Sequence, residues 1–157
     1  MLSGLGPLGG ALHGQASQAV EQLLGAIEGP GDAFAVLDRA VNAGAVPGFG
    51  HRVYRDRDPR ADHLLERLLT LASDDEERMR VIAVQGLLDA AQALDLPAPN
   101  VDFGLAAIAY VMRLRPAAAT TLFTVARIPG LLAHAIEEYP HRLRFRPRAS
   151  YVGQAPR

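Results

Sequence analysis

Apolar residues recur at steps of three and four along most of the chain, which is the spacing of one helix face. In the first quarter this pattern predicts helices over residues 16–28 and 32–42, separated by a Gly-Pro-Gly-Asp break. Gly44 is expected to end the second helix. The residues predicted to face inward are, in chain order, Val20, Leu23, Leu24, Ile27, Phe34, Leu37 and Val41.

Helix-start signals mark two further helices in the middle of the chain. Asp58 followed by Pro59 fits an N-cap and a first helical position, so a helix is predicted to begin there and to continue towards Leu71. Ser73 with Glu76 three residues later matches a capping box for a helix over about residues 74–94. A loop with two prolines, residues 95–100, follows.

The last third of the chain is the most apolar and predicts helices over residues 101–114 and 117–139. Pro129 is expected to kink or break the second of these, because proline removes a helical hydrogen bond. No two-residue turn lies between alternating apolar runs, so little sheet is expected. The predicted fold class is therefore all-α, with about six helices.

Composition narrows the functional classes. The 157 residues are 49% hydrophobic and 21% charged, which is typical of one globular domain. A net charge of -1 argues against a nucleic-acid binder, and the lack of cysteine excludes disulfide and thiolate chemistry. No uncharged apolar run reaches roughly 18 residues and no secretion signal is recognisable, so no membrane span and a cytoplasmic location are expected.

Three segments combine a titratable side chain with an unusual local backbone: His13 in ALHG, His51 in GFGHR and Asp102 in PNVDFG. Glycine next to a histidine permits close approach of a ligand. Taken singly, each has an ordinary interpretation as a loop histidine or a helix cap. Metal binding is a weaker alternative because the spacing matches no short ligand motif, and no Gly-x-Ser-x-Gly segment supports a serine hydrolase. The remaining histidines are assigned to surface or packing roles: His63, His134 and His141.

Arginines supply all sixteen basic residues, and arginine is well suited to hold planar carboxylates. Arg127 lies in an otherwise apolar helix, so a partner is expected for its charge, either a carboxylate of the protein or one of a ligand. Four other arginines cluster beside His51: Arg52, Arg55, Arg57 and Arg60. Near the C-terminus, arginine recurs at every second position: Arg142, Arg144, Arg146 and Arg148. This second series is interpreted either as a solvated arm or as an anion-binding strand.

Taken together, four segments resemble the citrate synthase family. GFGHRVYRDRDPRA is similar to the most recognisable segment of that family, PNVDF to its aspartate motif, RFRPRASYVG to its C-terminal Arg-Pro segment, and ALHGQASQAV to the segment with its first catalytic histidine. The four occur in the order of the family and span nearly the whole chain. The resemblance implies an all-α fold and the condensation of acetyl-CoA with oxaloacetate, followed by thioester hydrolysis.

The resemblance also implies a role for each matching residue. Asp102 would be the base that removes a proton from the acetyl methyl group, His13 the donor to the thioester carbonyl, and His51 the donor to the oxaloacetate carbonyl. The residues implied to hold oxaloacetate are Arg60, Arg127 and Arg146, and the last of these normally reaches the site of a neighbouring subunit. The residues implied to hold CoA are Val46, Pro47, Gly48, Phe49, Gly50 and Arg55. No metal and no cofactor is implied, since acetyl-CoA and CoA are substrate and product.

By the same resemblance, residues 11–107 correspond to the small domain of the family and residues 108–157 to a C-terminal segment of its large domain. The N-terminal part of the large domain has no counterpart, so a homodimer or a complex with a chain that supplies this part is expected. Propionyl-CoA, giving methylcitrate, is an equally natural substrate. Three alternatives remain open: a truncated, non-catalytic CoA-binding or regulatory partner, one half of a split enzyme, and citryl-CoA cleavage.

Overall fold

Six helices form the part of the chain that the computed structural model describes, which is residues 14–29, 31–44 and 46–141. The helices are α1 (Gly14–Gly25), α2 (Ala33–Asn42), α3 (Pro59–Leu71), α4 (Asp75–Ala93), α5 (Val101–Val111) and α6 (Ala118–Glu138), with a final 3₁₀ turn at Tyr139–His141. An isolated antiparallel bridge joins Phe49 and Pro99, and these residues contain no strand. The all-α prediction is confirmed.

Helix α5 lies at the centre of the fold and packs against α1, α3, α4 and α6. It is buried over most of its length because, apart from Asp102 and Tyr110, it consists of Phe103 and small or aliphatic residues. Gly104 allows the close approach of α3, since a Cβ at this position would lie 3.0 Å from Leu64 Cδ1 and 3.4 Å from Ala61 Cα. The amino terminus of α5, which carries Asp102, is thereby held among the other helices.

The predicted start of α3 is confirmed. The Asp58 carboxylate accepts a hydrogen bond from the backbone N–H of Arg60, and Pro59 occupies the first helical position.

The predicted capping box of α4 is displaced by one residue. Asp74 is the N-cap, and its carboxylate accepts from the N–H of Glu77 at 2.8 Å, while the carboxylate of Glu77 accepts from the N–H of Ser73 at 2.7 Å. The prediction of a Ser73–Glu76 pair was wrong because Ser73 and Asp74 are both suitable caps. Helix packing turned Glu77 inward and left Glu76 exposed.

The inward face of α2 differs from the prediction. Leu37 is fully buried as expected, but Phe34 is half-exposed and Ala33 and Val36 are buried in its place. The reason is that α2 packs against α4 through the face that carries positions 33, 36 and 37. Gly44 follows the end of α2 with φ +74, as the sequence predicted for the helix stop.

Helix α6 is anchored at its amino terminus. The Glu21 carboxylate on α1 accepts hydrogen bonds from the N–H groups of Ala117 at 2.8 Å and Ala119 at 2.9 Å. These bonds satisfy backbone donors that a helix start otherwise leaves unpaired. Beyond this turn α6 continues through Pro129 without interruption, so the predicted break is absent.

Within the part of the chain that the structure describes, Ala119 is the only buried residue of α6, and most of the helix is left exposed. We call its exposed apolar residues, which recur at steps of three, four or seven along one face, the α6 stripe: Leu122, Val125, Leu132, Ile136 and the adjoining Tyr139. Contrary to the expectation from sequence, the segment Ala118–His141 is long and apolar enough to cross a membrane. One such helix is weak support for a membrane span, because core helices of larger proteins have the same composition.

Candidate functional site

The loop that carries His51 is hydrogen-bonded to the loop that precedes α5. The N–H of Gly50 donates to the carbonyl oxygen of Ala98 at 2.8 Å, and the N–H of Asn100 donates to the carbonyl oxygen of Gly48 at 2.9 Å. The side-chain amide of Asn100 adds a bond to the carbonyl oxygen of Gly50 at 2.8 Å. Segments about fifty residues apart in sequence are thus joined, and they bring His51 to the end of α5 that bears Asp102.

Two side chains cap α5 from different loops. The Asn100 side-chain oxygen accepts from the N–H groups of Asp102 at 3.0 Å and Phe103 at 3.3 Å. The carboxylate of Asp58 accepts from the N–H of Val101 at 3.0 Å. Because both caps are themselves fixed, the first turn of α5 and the backbone of Asp102 have a defined position.

The turn at Gly48 needs glycine for two reasons. Its φ is +86, and a Cβ would lie 2.6 Å from Val20 Cγ2 and 3.1 Å from Phe103 Cβ. The ring of the next residue, Phe49, packs against the ring of Phe103 at 5.1 Å. Part of the predicted CoA loop therefore belongs to the core.

Backbone hydrogen bonds fix the orientation of His51. Its Nδ1 accepts from the N–H groups of Val53 and Tyr54, each at 3.1 Å. A neutral imidazole that accepts at Nδ1 carries its proton at Nε2. That Nε2 lies 3.2 Å from Nη2 of Arg60, which is also a donor. Two donors therefore meet at one point, and an acceptor oxygen of a ligand would satisfy both.

The guanidinium of Arg60 is held by Asp58. Its Nε and Nη2 lie 2.9 Å and 2.8 Å from the two carboxylate oxygens, and its Cζ lies 5.0 Å from the centre of the Tyr54 ring. The side chain of Asp58 is only 1% exposed, whereas that of Arg60 is 41% exposed. The buried carboxylate thus fixes a cation whose outer side remains accessible.

The ion pair shifts both pKa values in the direction that favours charge. Burial would by itself raise the pKa of Asp58, but the hydrogen bonds from Arg60 and Val101 outweigh it and hold the pKa below its usual value. The pKa of Arg60 is raised, first by the hydrogen bond to Asp58 and then, against burial, by nearby charges that include Asp102. Arg60 therefore interacts electrostatically with Asp102, and its Nη2 lies 3.2 Å from Nε2 of His51.

Asp102 has one described side-chain partner. The hydroxyl of Ser17 on α1 donates to its Oδ1 at 2.5 Å, and Ser17 is 1% exposed. Its Oδ2 receives no hydrogen bond from residues 14–29, 31–44 or 46–141. One oxygen of this carboxylate is therefore engaged, and the other has no protein donor in the described part of the chain.

A cleft of about 790 Å³ lies between α3, α5 and α6, and Arg60 and Arg127 both line it. His63, which the sequence suggested was a surface or packing residue, also lines this cleft. Arg127 is exposed and forms no ion pair among the described residues, so the predicted protein partner is not found there. The surrounding helix is itself exposed, and an exposed charge needs no partner within the protein, so the other expected partner, a ligand carboxylate, stays a prediction.

Not every predicted site residue can be placed. His13 and Arg146 lie outside the described residues, as do the other three arginines of the C-terminal series. Arg55 is exposed, without an ion pair in the described ranges. Those that the structure does bring together are His51, Arg60 and Asp102, with Arg127 across the cleft.

Sequence reasoning missed three residues that shape the site. Asp58 was predicted only as a helix cap, yet it also holds Arg60 and caps α5. Asn100 was noted only as part of a motif. Ser17 was not noted, although a signal existed: it shares the apolar stripe of α1 with Val20 and Leu24, where an isolated hydroxyl needs a partner.

Comparisons with known proteins agree with this architecture. The family model described as "Citrate synthase, C-terminal domain" matches residues 1–148. Citrate synthase 2 of Bacillus subtilis is 34% identical over 153 residues, and 2-methylcitrate synthase 2 of Corynebacterium glutamicum is 32% identical over 154 residues. The alignments cover 95% and 98% of this chain, respectively, but 40% of each relative.

A solved structure is similar over the same extent. It is citrate synthase from Thermoplasma acidophilum in a ternary complex with carboxymethyl coenzyme A and oxaloacetate, with a TM-score of 0.75 and 31% identity. The match covers 96% of this chain and 42% of that one. The chain thus spans about two fifths of the length of the proteins that it resembles.

Proposed function

The chain belongs to the citrate synthase family, and on this premise we propose that it is part of an acyltransferase that condenses a short acyl-CoA with oxaloacetate. Acetyl-CoA would give citrate and propionyl-CoA would give methylcitrate, with CoA released in both cases. The relatives include enzymes named for each product. A difference of one methylene is worth only about 1–3 kcal/mol, so both acyl donors belong to the proposal.

The observation that carries the proposal is the pair of donors that meet beside Asp102. The proton on Nε2 of His51 and the guanidinium of Arg60 face the same point at 3.2 Å separation. An oxaloacetate molecule bound there would place its ketone oxygen on His51 and a carboxylate on Arg60. The buried Asp58 keeps Arg60 in place, so the donors are organised before substrate binds.

The proposed reaction assigns the proton movements to specific atoms. The free oxygen of Asp102 takes a proton from the carbon next to the thioester carbonyl, and His13 donates to the carbonyl oxygen of the resulting enol. The enol carbon then bonds to the ketone carbon of oxaloacetate. The ketone oxygen receives the electron pair and a proton, with His51 Nε2 as the donor, and water then hydrolyses the thioester and releases CoA.

The remaining substrate contacts follow the same logic. Arg127, exposed across the cleft from Arg60, and Arg146 would bind the second carboxylate of oxaloacetate. Gly48 is buried and Phe49 packs on Phe103, so segment 46–50 would offer CoA mainly its backbone. Arg55, which is exposed and unpaired in the described ranges, would meet the CoA phosphates.

The proposed assembly contains more than this chain. We assign residues 11–107 to a small domain and 108–157 to a segment of a large domain, in a homodimer or in a complex with a chain that supplies the rest of the fold. The uncovered α6 stripe supports this assembly, because exposed apolar surface of this extent marks an interaction site. The expected location is the cytoplasm, where acyl-CoA is available.

The test is a coupled assay for CoA release from acetyl-CoA or propionyl-CoA with oxaloacetate, performed on the assembly that contains the rest of the fold. Asp102→Asn should lower kcat at least about 100-fold, because loss of general base catalysis costs that much. Asp89→Asn, an exposed change on α4, is the control and should keep full activity. If Asp102→Asn is as active as the unmodified protein, the assignment of the base is wrong.

A second candidate function is that of a non-catalytic CoA-binding or regulatory partner. The observation that favours it is that the chain spans about 40% of its relatives. Titration calorimetry with CoA and with oxaloacetate separates the two functions. CoA binding without turnover, in the presence of the missing part of the fold, supports the regulatory partner and contradicts the enzyme.

A further inference from the structure

We propose that Ser17 is a positioning residue for the Asp102 carboxylate, an inference that rests on the proposed function and adds a residue to its site. The Ser17 hydroxyl donates to Oδ1 of Asp102 across 85 positions of the chain, at 2.5 Å. The contact therefore joins α1 to the group that the mechanism uses as a base.

The surroundings of Ser17 explain why its hydroxyl bonds to Asp102. Ser17 is 1% exposed and lies one helical turn before Val20, which is fully buried on the same stripe of α1. A buried hydroxyl without a partner is costly, and the side chain of Asp102 is its partner in the described part of the chain. Since α1 packs along α5, the two groups are held together by the helix contact itself.

The bond has a defined consequence for the carboxylate. The backbone of Asp102 is fixed by the Asn100 cap, but a carboxylate can still rotate about its last side-chain bond. Ser17 removes this freedom by holding Oδ1, which leaves Oδ2 as the oxygen available to accept a proton. Proton transfer depends on such alignment at the level of a fraction of an ångström.

The kinetic test compares Ser17→Ala and Ser17→Thr in the complete assembly. Ser17→Ala should lower kcat, and the rate of solvent-deuterium exchange into the acyl-CoA α-position, by about 10- to 100-fold. The KM for oxaloacetate should stay within about twofold, because the hydrogen bond of Ser17 is to Asp102, which is assigned to the acyl-CoA and not to oxaloacetate. Ser17→Thr keeps the hydroxyl and should restore most of the exchange rate, whereas unchanged exchange in Ser17→Ala overturns the proposal.

A second measurement does not need turnover. The ¹³C resonance of the Asp102 carboxyl carbon, compared at one neutral pH, should move in Ser17→Ala and stay near its original position in Ser17→Thr and in the exposed control Gln18→Ala. An unchanged resonance in Ser17→Ala overturns the proposed contact. If the resonance moves but the unmodified assembly neither exchanges nor turns over, the proposed function fails while the Ser17–Asp102 contact is supported.

Discussion

The side-chain amide of Asn100 donates a hydrogen bond to the carbonyl oxygen of Gly50 at 2.8 Å, across 50 positions of the chain. The oxygen of the same side chain caps α5 through the N–H groups of Asp102 and Phe103. One residue thus connects the segment of His51 with the helix of Asp102. The amide therefore supports both halves of the candidate site, together with the backbone bonds that join Gly50 to Ala98 and Asn100 to Gly48.

Asn100→Asp should separate these two roles. Aspartate is an equally good N-cap, but it cannot donate to Gly50 and instead places a negative oxygen against a carbonyl oxygen. We expect a loss of about 1–3 kcal/mol in the free energy of unfolding, measured by urea denaturation. Asn42→Asp on the exposed end of α2 is the control and should change stability by less than about 0.5 kcal/mol. Equal stability of both variants would contradict the bridging role.

Asp58→Asn should lower the free energy of unfolding at neutral pH and should make that free energy less dependent on pH in the acid range. In the folded protein the pKa of Asp58 lies below its ordinary value, so its contribution to stability is complete above that ordinary value and declines as the pH falls through the folded pKa. Asparagine retains the cap but leaves Arg60 unpaired, which should cost about 2 kcal/mol at pH 7 because Arg60 is partly solvated. Chemical unfolding at pH 7, 4 and 3 measures both effects. A loss of stability that is as large at pH 3 as at pH 7 would contradict the charge assignment.

Gly48→Ala should be much more harmful than Gly44→Ala. Both glycines have positive φ, +86 and +74, but a Cβ at position 48 would meet Val20 Cγ2 at 2.6 Å, whereas at position 44 nothing lies within 4 Å. We expect about 1 kcal/mol of destabilisation at position 44 from backbone strain alone and about 3 kcal/mol at position 48. Thermal unfolding of the two variants provides the comparison, and equal shifts would exclude the steric component.

The α6 stripe should bind a hydrophobic dye in the isolated chain. Val125 is 61% exposed and Ile136 63%, and they lie on the same face of a helix that the described residues leave uncovered. The double variant Val125→Ser/Ile136→Ser should therefore lower the fluorescence of bound anilinonaphthalene sulfonate. Leu69→Ser on α3, where Leu69 is 74% exposed, is the control and should leave the fluorescence near its original level. No decrease in the double variant would mean that the stripe is already covered in solution.

Local signals predicted the elements well because they act within one helical turn. The Asp58–Pro59 start of α3 and the Gly44 stop of α2 depend on capping and on backbone freedom alone, and both were found as predicted. Local signals did not determine which face of α2 is buried. Phe34 fits an apolar stripe as well as Val36 does, and contact with α4 decides which of them is buried.

The site required tertiary information that no local pattern contains. The motifs indicated His51 and Asp102 individually, but Asp58 caps α5 from 43 positions away and Ser17 meets Asp102 from 85 positions away. Such partners follow from how helices pack, and a single sequence offers at most the hint of a polar residue on an apolar stripe. The partner of Arg127 illustrates the same limit: no protein carboxylate pairs with it among the described residues, and the alternative of a ligand carboxylate stays a prediction.

The Glu21 cap fixes the amino-terminal end of α6, whereas the rest of the helix has few contacts with the described residues. Arg127 lies eight residues beyond Ala119, which is about 12 Å along the helix axis. A tilt of about 10° around the capped turn would shift the Arg127 backbone by about 2 Å relative to Arg60. The loop of His51 and the first turn of α5 are held separately, by the hydrogen bonds of Asn100 and Asp58. The separation of the two arginines would therefore respond to the orientation of α6 more directly than the positions of His51 and Asp102.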